Sequence, residues 1–306
     1  MSRGSSADQH ADRIASRQHG AIARRQALAA GLSPDQIEGR SRSGRWRIGL
    51  RQVYVAAGAP STWRQRAMVA CLAGPEGTVV SHLTGAALLT LSKPPEVPHV
   101  TVPPGTSGRF RGAVVHHSPL DPVDICTADA IPCTRPARTV VDCAALLTYE
   151  ALCEMVDDLL CRAPHTPSSL RDAMARVSER PGRKGLRNLE RALAVWTPGP
   201  RPGSRAEMRV VRQLVAWGLP VPERQVEIFD EGGGFVARGD LGYREGRIIL
   251  EYYGEPHHGP RSESHDRFRQ EQMEAAGVRV VVVDKDNLRS PALQMQLFDL
   301  LGRRAG

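Results

Sequence analysis

The stretch Gly239–Glu251, with the sequence GDLGYREGRIILE, predicts a β-hairpin whose two-residue turn is Glu245-Gly246. Counting outward from that turn places Asp240 directly opposite Glu251. Side chains in that relation have Cβ atoms about 5 Å apart. Two carboxylates at that distance repel each other unless a cation lies between them or one of them takes a proton. The hairpin therefore predicts an acidic pair on one of its faces.

The opposite face of the hairpin is apolar by strict alternation. It carries Leu241, Tyr243, Ile248, Leu250 and Tyr252. These residues are expected to pack into a core, which leaves the acidic pair on the front of the sheet.

The length of the chain, 306 residues, favours two or three domains. No apolar run approaches the ~20 residues that cross a bilayer. The segment Met1–Gly20 is polar and charged and lacks the apolar core of a secretion signal. The six cysteines never form a CxxC pair, which favours reduced, mostly buried thiols. We therefore expect a cytoplasmic protein without a membrane partner.

The positive charge of the chain is concentrated at its beginning. The formal net charge is +8, and residues 1–65 contain eleven arginines against four acidic residues. A basic segment of this kind favours an anionic partner, most often a nucleic acid. The chain has only three lysines among 41 basic residues, a bias also expected from a GC-rich genome, so arginine content alone is weak evidence.

Residues 1–58 predict a winged helix-turn-helix domain. The clearest signal is Ser33-Pro34-Asp35-Gln36, which has the N-cap, the N1 proline and the third residue of a capping box. The predicted helices and wing strands are His10–Gln18, Arg24–Ala30, the helix opened by Ser33 and running toward Arg42, Arg45–Leu50 and Gln52–Ala56.

A basic surface is predicted on this domain. Arg40 and Arg42 lie on the third helix, and Arg45, Arg47 and Arg51 lie on the wing. Docking of such a helix in the major groove, with the wing on the phosphates, would bind DNA. The alternative is a helix-turn-helix used only for protein contact.

Residues 59–196 predict an α+β middle domain without catalytic spacing. Asp142 near Arg135 and Arg138 is expected to form a structural ion pair. His116 and His117 are adjacent on a predicted strand and point to opposite faces, which argues against a shared metal site. A single histidine, His82, is expected to be a capping or core residue.

The segment 197–203, with three prolines and two glycines, predicts a linker. Residues 204–306 then predict an α/β sandwich with a small mixed sheet. Its first helix opens with the capping box of Ser204 and Glu207. Its last strand, Val278–Asp284, is nearly all apolar, as in a sheet buried on both faces. The whole chain is thus expected to be a multi-domain α/β protein.

The C-terminal region resembles the PD-(D/E)XK nuclease fold, in the branch related to Vsr-like (very-short-patch-repair) endonucleases. The resemblance covers roughly Ser204–Leu288. The residues that carry it are Glu207, Gly239-Asp240, Glu251-Tyr252-Tyr253-Gly254, His257 three positions after Gly254, and Asp266 with Arg269.

The N-terminal part resembles the winged-helix region of AbiEi-type antitoxins, which is often fused to such nuclease domains in actinobacteria. The segments that carry this resemblance are Gly31-Leu32-Ser33, Gly44-Arg45-Trp46, Val53-Tyr54, Val80-Ser81-His82 and Arg138-Thr139-Val140-Val141-Asp142.

The nuclease resemblance implies a hydrolytic site. Asp240 and Glu251 would hold Mg²⁺ or Mn²⁺ through oxygen ligands, and the ion would activate a water for attack on phosphate. Glu207 would complete the shell or take the water's proton. His257 would be the general base or acid, with His258 as a substitute. Arg269, with Arg267 beside it, would pair with the phosphate.

One position departs from the family pattern. The third site residue, two positions after Glu251, is Asp in this branch and Lys in the wider fold, but here it is Tyr253. A phenol is neutral at pH 7 and a poor ligand for Mg²⁺, so the predicted site lacks one carboxylate. This predicts a weak, single-metal or inactive centre.

Each residue of the predicted site also has a structural interpretation. Glu207 could act only as a helix cap, and the histidines at 257 and 258 could be ordinary surface residues. The hairpin carboxylates could pair with Arg238 or Arg247 across the strands. Asp266 and Arg269 could form an intrahelical ion pair, which is worth only a few tenths of a kcal/mol.

Three functions are compatible with these features. The first is a DNA-binding protein whose C-terminal domain hydrolyses or nicks DNA with a divalent metal. The second is a non-catalytic transcriptional regulator or antitoxin with a degenerate nuclease domain. The third is a module that masks a toxin protein through its middle region.

Overall fold

The computed structural model describes residues 3–106, 111–162, 165–178, 185–253 and 260–302, without side chains at 3–5, 178 and 260–266. The protein belongs to the α/β class, as predicted. The chain divides into two compact units. The first comprises residues 1–155 and 168–189, and the second comprises 156–167 and 190–306.

The first unit begins with helices α1 to α3 and a three-stranded antiparallel sheet in the order β1-β3-β2. The capping box of the third helix is present, since Ser33 Oγ accepts from the Gln36 N–H at 3.2 Å and Gln36 Oε1 accepts from the Ser33 N–H at 2.8 Å. The sequence did not predict β1, because three residues are too few to display alternation. The elements are α1 Arg3–Arg17, β1 Ala21–Ala23, α2 Arg24–Ala29, α3 Pro34–Arg42, β2 Trp46–Leu50 and β3 Val53–Ala56.

Strands β1 and β3 of this small sheet are covered on both faces, whereas Arg47, Ile48 and Gly49 of β2 are exposed. Ile22 and Trp46 pack on one side with apolar residues of α1 to α3. On the other side Val53 and Val55 pack against helix α4, Trp63–Ala73. Strand β3 is therefore held within the unit, and β2 presents an exposed edge.

The first unit continues with a five-stranded mixed sheet in the order β6-β5-β4-β8-β7. The β4–β8 and β5–β6 pairs are parallel, and the β4–β5 and β7–β8 pairs are antiparallel. Its elements are β4 Val79–Val80, α5 His82–Leu88, β5 His99–Val102, β6 Val114–His117, a 3₁₀ turn Pro122–Asp124, β7 Ile125–Ala128, β8 Ile131–Thr134, α6 Pro136–Cys143, α7 Tyr149–Leu160 and α8 Pro167–Ser178.

The β7–β8 hairpin was not predicted from the sequence. Its turn residues, Asp129 and Ala130, have φ values of 50° and 61°. Such turns are normally recognised by Asn-Gly or Asp-Gly, because glycine adopts positive φ without strain. Alanine at the second position conceals this turn from pattern analysis.

An ion network lies inside the first unit. Arg138 is 1 % exposed and donates to Asp142 and to Asp124, each at 3.0 Å, and to Ser118 Oγ at 2.8 Å. Arg176 of α8 also pairs with Asp124, at 2.7 Å. The structural role predicted for Asp142 agrees with this geometry.

The second unit contains a four-stranded sheet in the order β12-β11-β10-β9. The β9–β10 and β10–β11 pairs are antiparallel, and β11 and β12 are parallel. Together with the end of α7, its elements are α9 Leu186–Leu193, which begins in the first unit, α10 Arg205–Ala216, β9 Glu223–Phe229, β10 Phe235–Tyr243, β11 Ile248–Tyr253, α11 Pro260–Ala275, β12 Arg279–Asp284 and α12 Pro291–Leu300.

The predicted hairpin has the expected register, since Leu241 pairs with Leu250 and Tyr243 with Ile248. These four residues are buried as predicted. The front of the hairpin is not simply acidic, however. Ile249 is 2 % exposed and packs in one cluster with Met273, Val226 and Val278, because α11 covers this face.

Two further expectations concern the ends of this unit. The proline-rich segment 197–203 lies within the second unit, where Pro202 is buried and the Thr197 carbonyl accepts a hydrogen bond from Arg224. Strand β12 is an edge strand, so Val281 and Val283 are buried whereas Val280 and Val282 are half-buried. The prediction of burial on both faces is thus correct only in part.

Candidate functional site

Two glycines flank the acidic residue of strand β10. A Cβ atom at Gly239 would lie 2.4 Å from Ile249 Cγ2, and one at Gly242 would lie 2.7 Å from Ile249 Cδ1. Only glycine permits this close approach on either side of the acid.

The neighbouring strand β9 is irregular at the same level. Gly239 pairs with Val226 and Leu241 pairs with Arg224, so Asp240 lies opposite Gln225. Gln225 has a φ of 51°, a left-handed conformation that is uncommon outside glycine. Such strained positions cluster at functional sites. Here the strain brings the Gln225 Nε2 to 3.5 Å from the Glu207 carboxylate.

Glu207 has both of the roles considered from the sequence. Its N–H donates to Ser204 Oγ at 3.2 Å, and its Oε2 accepts from the Gly203 N–H at 2.8 Å, so it belongs to the cap of α10. It is also 5 % exposed, and the negative charge of Asp240 is close enough to raise its pKa. The cap therefore positions a third carboxyl group beside the hairpin.

Glu251 is the most deeply buried acid of this group, with 3 % exposure. Its Oε2 pairs with the Arg269 guanidinium of α11 at 2.5 Å. Its Oε1 is buried and has no hydrogen-bond partner within the described part of the chain. Buried polar atoms nearly always have a partner, so an orphaned carboxylate oxygen indicates a place for a further ligand.

The pKa values of all three acids are raised. Burial raises the pKa of Glu251 to about 7, with a further contribution from the Asp240 charge and an opposing one from Arg269. Burial is also the largest cause of the raised pKa of Asp240 and of Glu207. Burial thus disfavours the ionised form of each of the three acids, and perturbed pKa values of this kind are typical of functional sites.

The remaining predicted site residues are placed as follows. Tyr253 ends β11 and is half-buried. Arg267 is exposed on α11. His257 and His258 lie outside the described residues, and so does the side chain of Asp266. Of the two arginines expected as alternative partners of the hairpin acids, Arg247 donates to the Ala276 carbonyl, whereas the positive charge of Arg238 is close enough to Asp240 to oppose the rise in its pKa.

The described residues contain no group of three or more histidine, cysteine, aspartate or glutamate side chains arranged to hold a metal ion. Glu207 thus approaches Asp240 without completing a three-ligand set with it and Glu251.

Arg40, predicted to contact DNA, is buried instead. It is 8 % exposed, pairs with Asp8, donates to the Gln36 carbonyl at 2.8 Å and lies over the Trp46 ring at 5.4 Å. An arginine three positions after a buried Ile37 points inward on a nine-residue helix, which the charge pattern alone concealed. Arg40 therefore stabilises the winged domain and does not belong to its surface.

The other four arginines of the predicted DNA surface are exposed: Arg42, Arg45, Arg47 and Arg51. Two of them have partners, since Arg42 pairs with Glu38 at 3.2 Å and Arg47 donates to Gln65 at 2.6 Å. The exposed face of α3 also carries Asp35 and Glu38. The basic surface is consequently centred on the wing rather than on the third helix.

Sequence analysis missed a histidine cluster in the first unit. The rings of His82 and His116 stack with centroids 3.5 Å apart, and His99 Nδ1 lies 3.1 Å from His116 Nε2. His117 points away and is exposed, as predicted. Burial lowers the pKa of His116 to about 4 and also lowers the pKa of His99. The pairing of β5 with β6 produces this cluster, and no local pattern reveals that pairing.

No protein-family model matches the sequence, and a search of curated proteins finds no match either. Within the described part of the chain, every helix is too short or too polar to cross a bilayer.

Proposed function

We propose that this protein binds DNA and that its second unit is a metal-dependent phosphodiesterase acting on DNA. The observation that carries the proposal is the opposition of Asp240 and Glu251 on the two central strands of the sheet, with Glu207 near Asp240 and Arg269 paired with Glu251. Concentrating three acids in a largely buried place costs stability, and proteins accept such costs mainly at functional sites.

Asp240 and Glu251 fit a divalent cation. They supply the hard oxygen ligands that Mg²⁺ and Mn²⁺ prefer, and the orphaned Oε1 of Glu251 gains a partner when a cation binds. When bound, the ion would polarise a phosphate oxygen and lower the pKa of a coordinated water. Both acids must be ionised to bind it, so metal affinity should rise with pH through the pKa of Glu251, about 7.

The surrounding residues contribute positioning and charge. The Arg269 side chain is 35 % exposed, so a phosphate can reach its guanidinium and compete with Glu251 for it. Glu207 has a raised pKa and can accept a proton near the site. His257 remains our predicted general base or acid.

The wing of the first unit supports DNA binding. Arg45 and Arg51 are exposed, as is Arg47 on the adjacent face. Phosphate neutralisation by such side chains supplies most of the sequence-independent affinity. These three arginines would contact the DNA backbone, whereas the buried Arg40 would stabilise the fold.

A nicking assay tests the catalytic part. Supercoiled plasmid is incubated with protein while Mg²⁺ or Mn²⁺ is titrated. Asp240→Ala and Glu251→Ala should lose nicking by at least tenfold, whereas Glu227→Ala, an exposed acid on β9, should keep it. Wild-type protein that nicks nothing at any metal concentration, or an Asp240→Ala variant as active as wild type, would contradict the assignment.

Fluorescence anisotropy with labelled duplex DNA tests the binding part. Affinity should fall steeply with salt, and the Arg45→Ala/Arg47→Ala variant should bind more weakly with a smaller salt slope. Arg13→Ala, an exposed arginine on α1, is the matched control. If the double variant and wild type bind DNA with equal affinity, Arg45 and Arg47 do not contribute to DNA binding.

A second function is favoured by two specific observations. Tyr253 replaces a carboxylate of the family pattern, and Arg269 already neutralises Glu251. Both features suit a regulator or antitoxin that keeps the nuclease fold without its chemistry. Salt-sensitive DNA binding without metal-dependent nicking, in wild type and in Tyr253→Asp alike, would favour this function over the first.

A further inference from the structure

Two cysteines of the first unit lie directly opposite each other across the β7–β8 hairpin. Cys126 pairs with Cys133 in the antiparallel register, and their sulfur atoms are 3.5 Å apart. Opposed residues in such strands have Cα atoms about 4.5 to 5.5 Å apart, within the range that a disulfide spans. To form the bond, the two sulfur atoms must approach each other by about 1.5 Å. The strands already hold the two residues at a suitable separation, so they need not rearrange.

The two thiols are not equivalent. Cys126 is half-buried, whereas Cys133 is fully buried. The contact between the two sulfur atoms, helped by the positive charge of Arg135, lowers the pKa of Cys126. Burial and the same contact raise the pKa of Cys133. Cys126 is thus the nucleophile, and Cys133 is the resolving thiol that can attack Cys126 after its oxidation.

Three other cysteines, Cys71, Cys143 and Cys161, have the opposite character, since burial raises the pKa of each. Burial raises the pKa of Cys71 to about 12 and that of Cys161 to about 11. Reactivity toward oxidants follows thiolate content and access. Cys126 is therefore distinguished from the buried thiols by its environment rather than by its sequence.

We propose that Cys126 and Cys133 form an oxidation site that reacts with a peroxide and closes to a disulfide. The Cys126 thiolate attacks one peroxide oxygen, the O–O bond breaks, and hydroxide leaves and takes up a proton as water. The resulting sulfenic acid is attacked by the Cys133 sulfur, whose proton joins the departing hydroxide as a second water. Two thiols lose two electrons in total, and hydrogen peroxide is reduced to two waters.

The site is independent of nuclease chemistry and of DNA binding. Asp129, in the turn of the same hairpin, pairs with Arg64 at 2.6 Å, and its carbonyl oxygen lies 2.8 Å from His19 Nε2. The hairpin is therefore fixed at its tip as well as at the sheet. These contacts keep the two sulfurs opposed and favour the bond within one chain over a bond between chains.

Mass spectrometry of peroxide-treated full-length protein tests the proposal. Wild type should lose two hydrogens and two of its six free thiols, and a reductant should restore both. Cleavage before Asp129, the only acid between the cysteines, should give two peptides joined until reduction. The reaction should be slower at pH 6 than at pH 8, because the thiolate of Cys126 is the reacting form.

Variants separate the two roles. In the Cys133→Ser variant, peroxide should produce a sulfenic acid at Cys126 that dimedone traps. The Cys126→Ser variant should keep all of its remaining thiols after the same peroxide treatment. Cys161→Ser, at a half-buried control position, should oxidise like wild type. Wild-type protein that retains all six thiols, or that gains oxygen at Cys126 without losing two hydrogens, would overturn the proposal even if the variants fail to fold.

Discussion

The two units contain ionic clusters of opposite design. In the first unit, Asp124 and Asp142 face two arginines, Arg138 and Arg176, so formal charges balance. In the second unit, three acids face Arg269, and the exposed Arg238 is a second positive charge near Asp240. Both clusters are largely buried, but only the second carries an excess of negative charge.

The consequence of this difference is visible in the protonation of the acids. In the second cluster burial and mutual repulsion raise the pKa values of Glu207, Asp240 and Glu251. An acid with a raised pKa can bind a proton or a cation at neutral pH, whereas a matched ion pair has no such capacity. Imbalance of charge, rather than burial of charge, is thus what marks a candidate site.

The largest expected effect comes from breaking the balanced cluster. Arg138→Met should lower the free energy of unfolding by about 3–5 kcal/mol, because it leaves two buried carboxylates without their main partner. Urea unfolding at pH 7 measures the change. A loss below about 1 kcal/mol would mean that the network contributes little and that the contrast with the second cluster is unfounded.

Neutralising the unbalanced cluster should have the opposite sign. The folded chain releases the Glu251 proton near pH 7 and the unfolded chain near 4.5, so this group reduces stability as pH rises between those values. The Glu251→Gln side chain cannot titrate. Its free energy of unfolding, relative to that of wild type, should therefore rise by up to about 3 kcal/mol between pH 4 and pH 8.

Unfolding curves in urea, without divalent metal, at several pH values across this range check the prediction. Glu227→Gln, an exposed acid on the same sheet, should leave the difference from wild type independent of pH. The same constant difference for Glu251→Gln would show that this carboxyl group is not perturbed.

A pair outside both clusters provides an intermediate case. Arg40 pairs with Asp8 and lies over Trp46, so Arg40→Ala should cost about 1–2 kcal/mol through lost pairing and packing. Thermal unfolding should register the change. A variant with wild-type stability and weakened DNA binding would restore Arg40 to the DNA surface.

The smallest effect is expected at an exposed pair. Arg42 and Glu38 interact on the surface of α3, so Arg42→Ala should change stability by about 0.5 kcal/mol or less. A comparison of the stability losses of Arg42→Ala and Arg40→Ala shows whether burial determines how much an arginine of this helix contributes to stability. Equal losses for both variants would exclude burial as the cause.

Local signals predicted much of the second unit. The hairpin register followed from the turn and the alternation around Leu241 and Leu250, and the start of α12 followed from Ser290-Pro291. Turns with unusual residues, such as Asp129-Ala130, were missed because their backbone conformation has no residue signature there. Helix faces were misjudged where a charged residue is buried, as at Arg40.

The sequence by itself determined the α/β class, the opposed positions of Asp240 and Glu251, and the capping roles of Ser33 and Ser204, because each depends on residues close together in the chain. Only the tertiary structure decided that Arg269 neutralises Glu251, that three histidines stack and that Cys126 meets Cys133. Those contacts depend on how separate strands and helices pack, and packing energy is shared among many residues that no short segment contains.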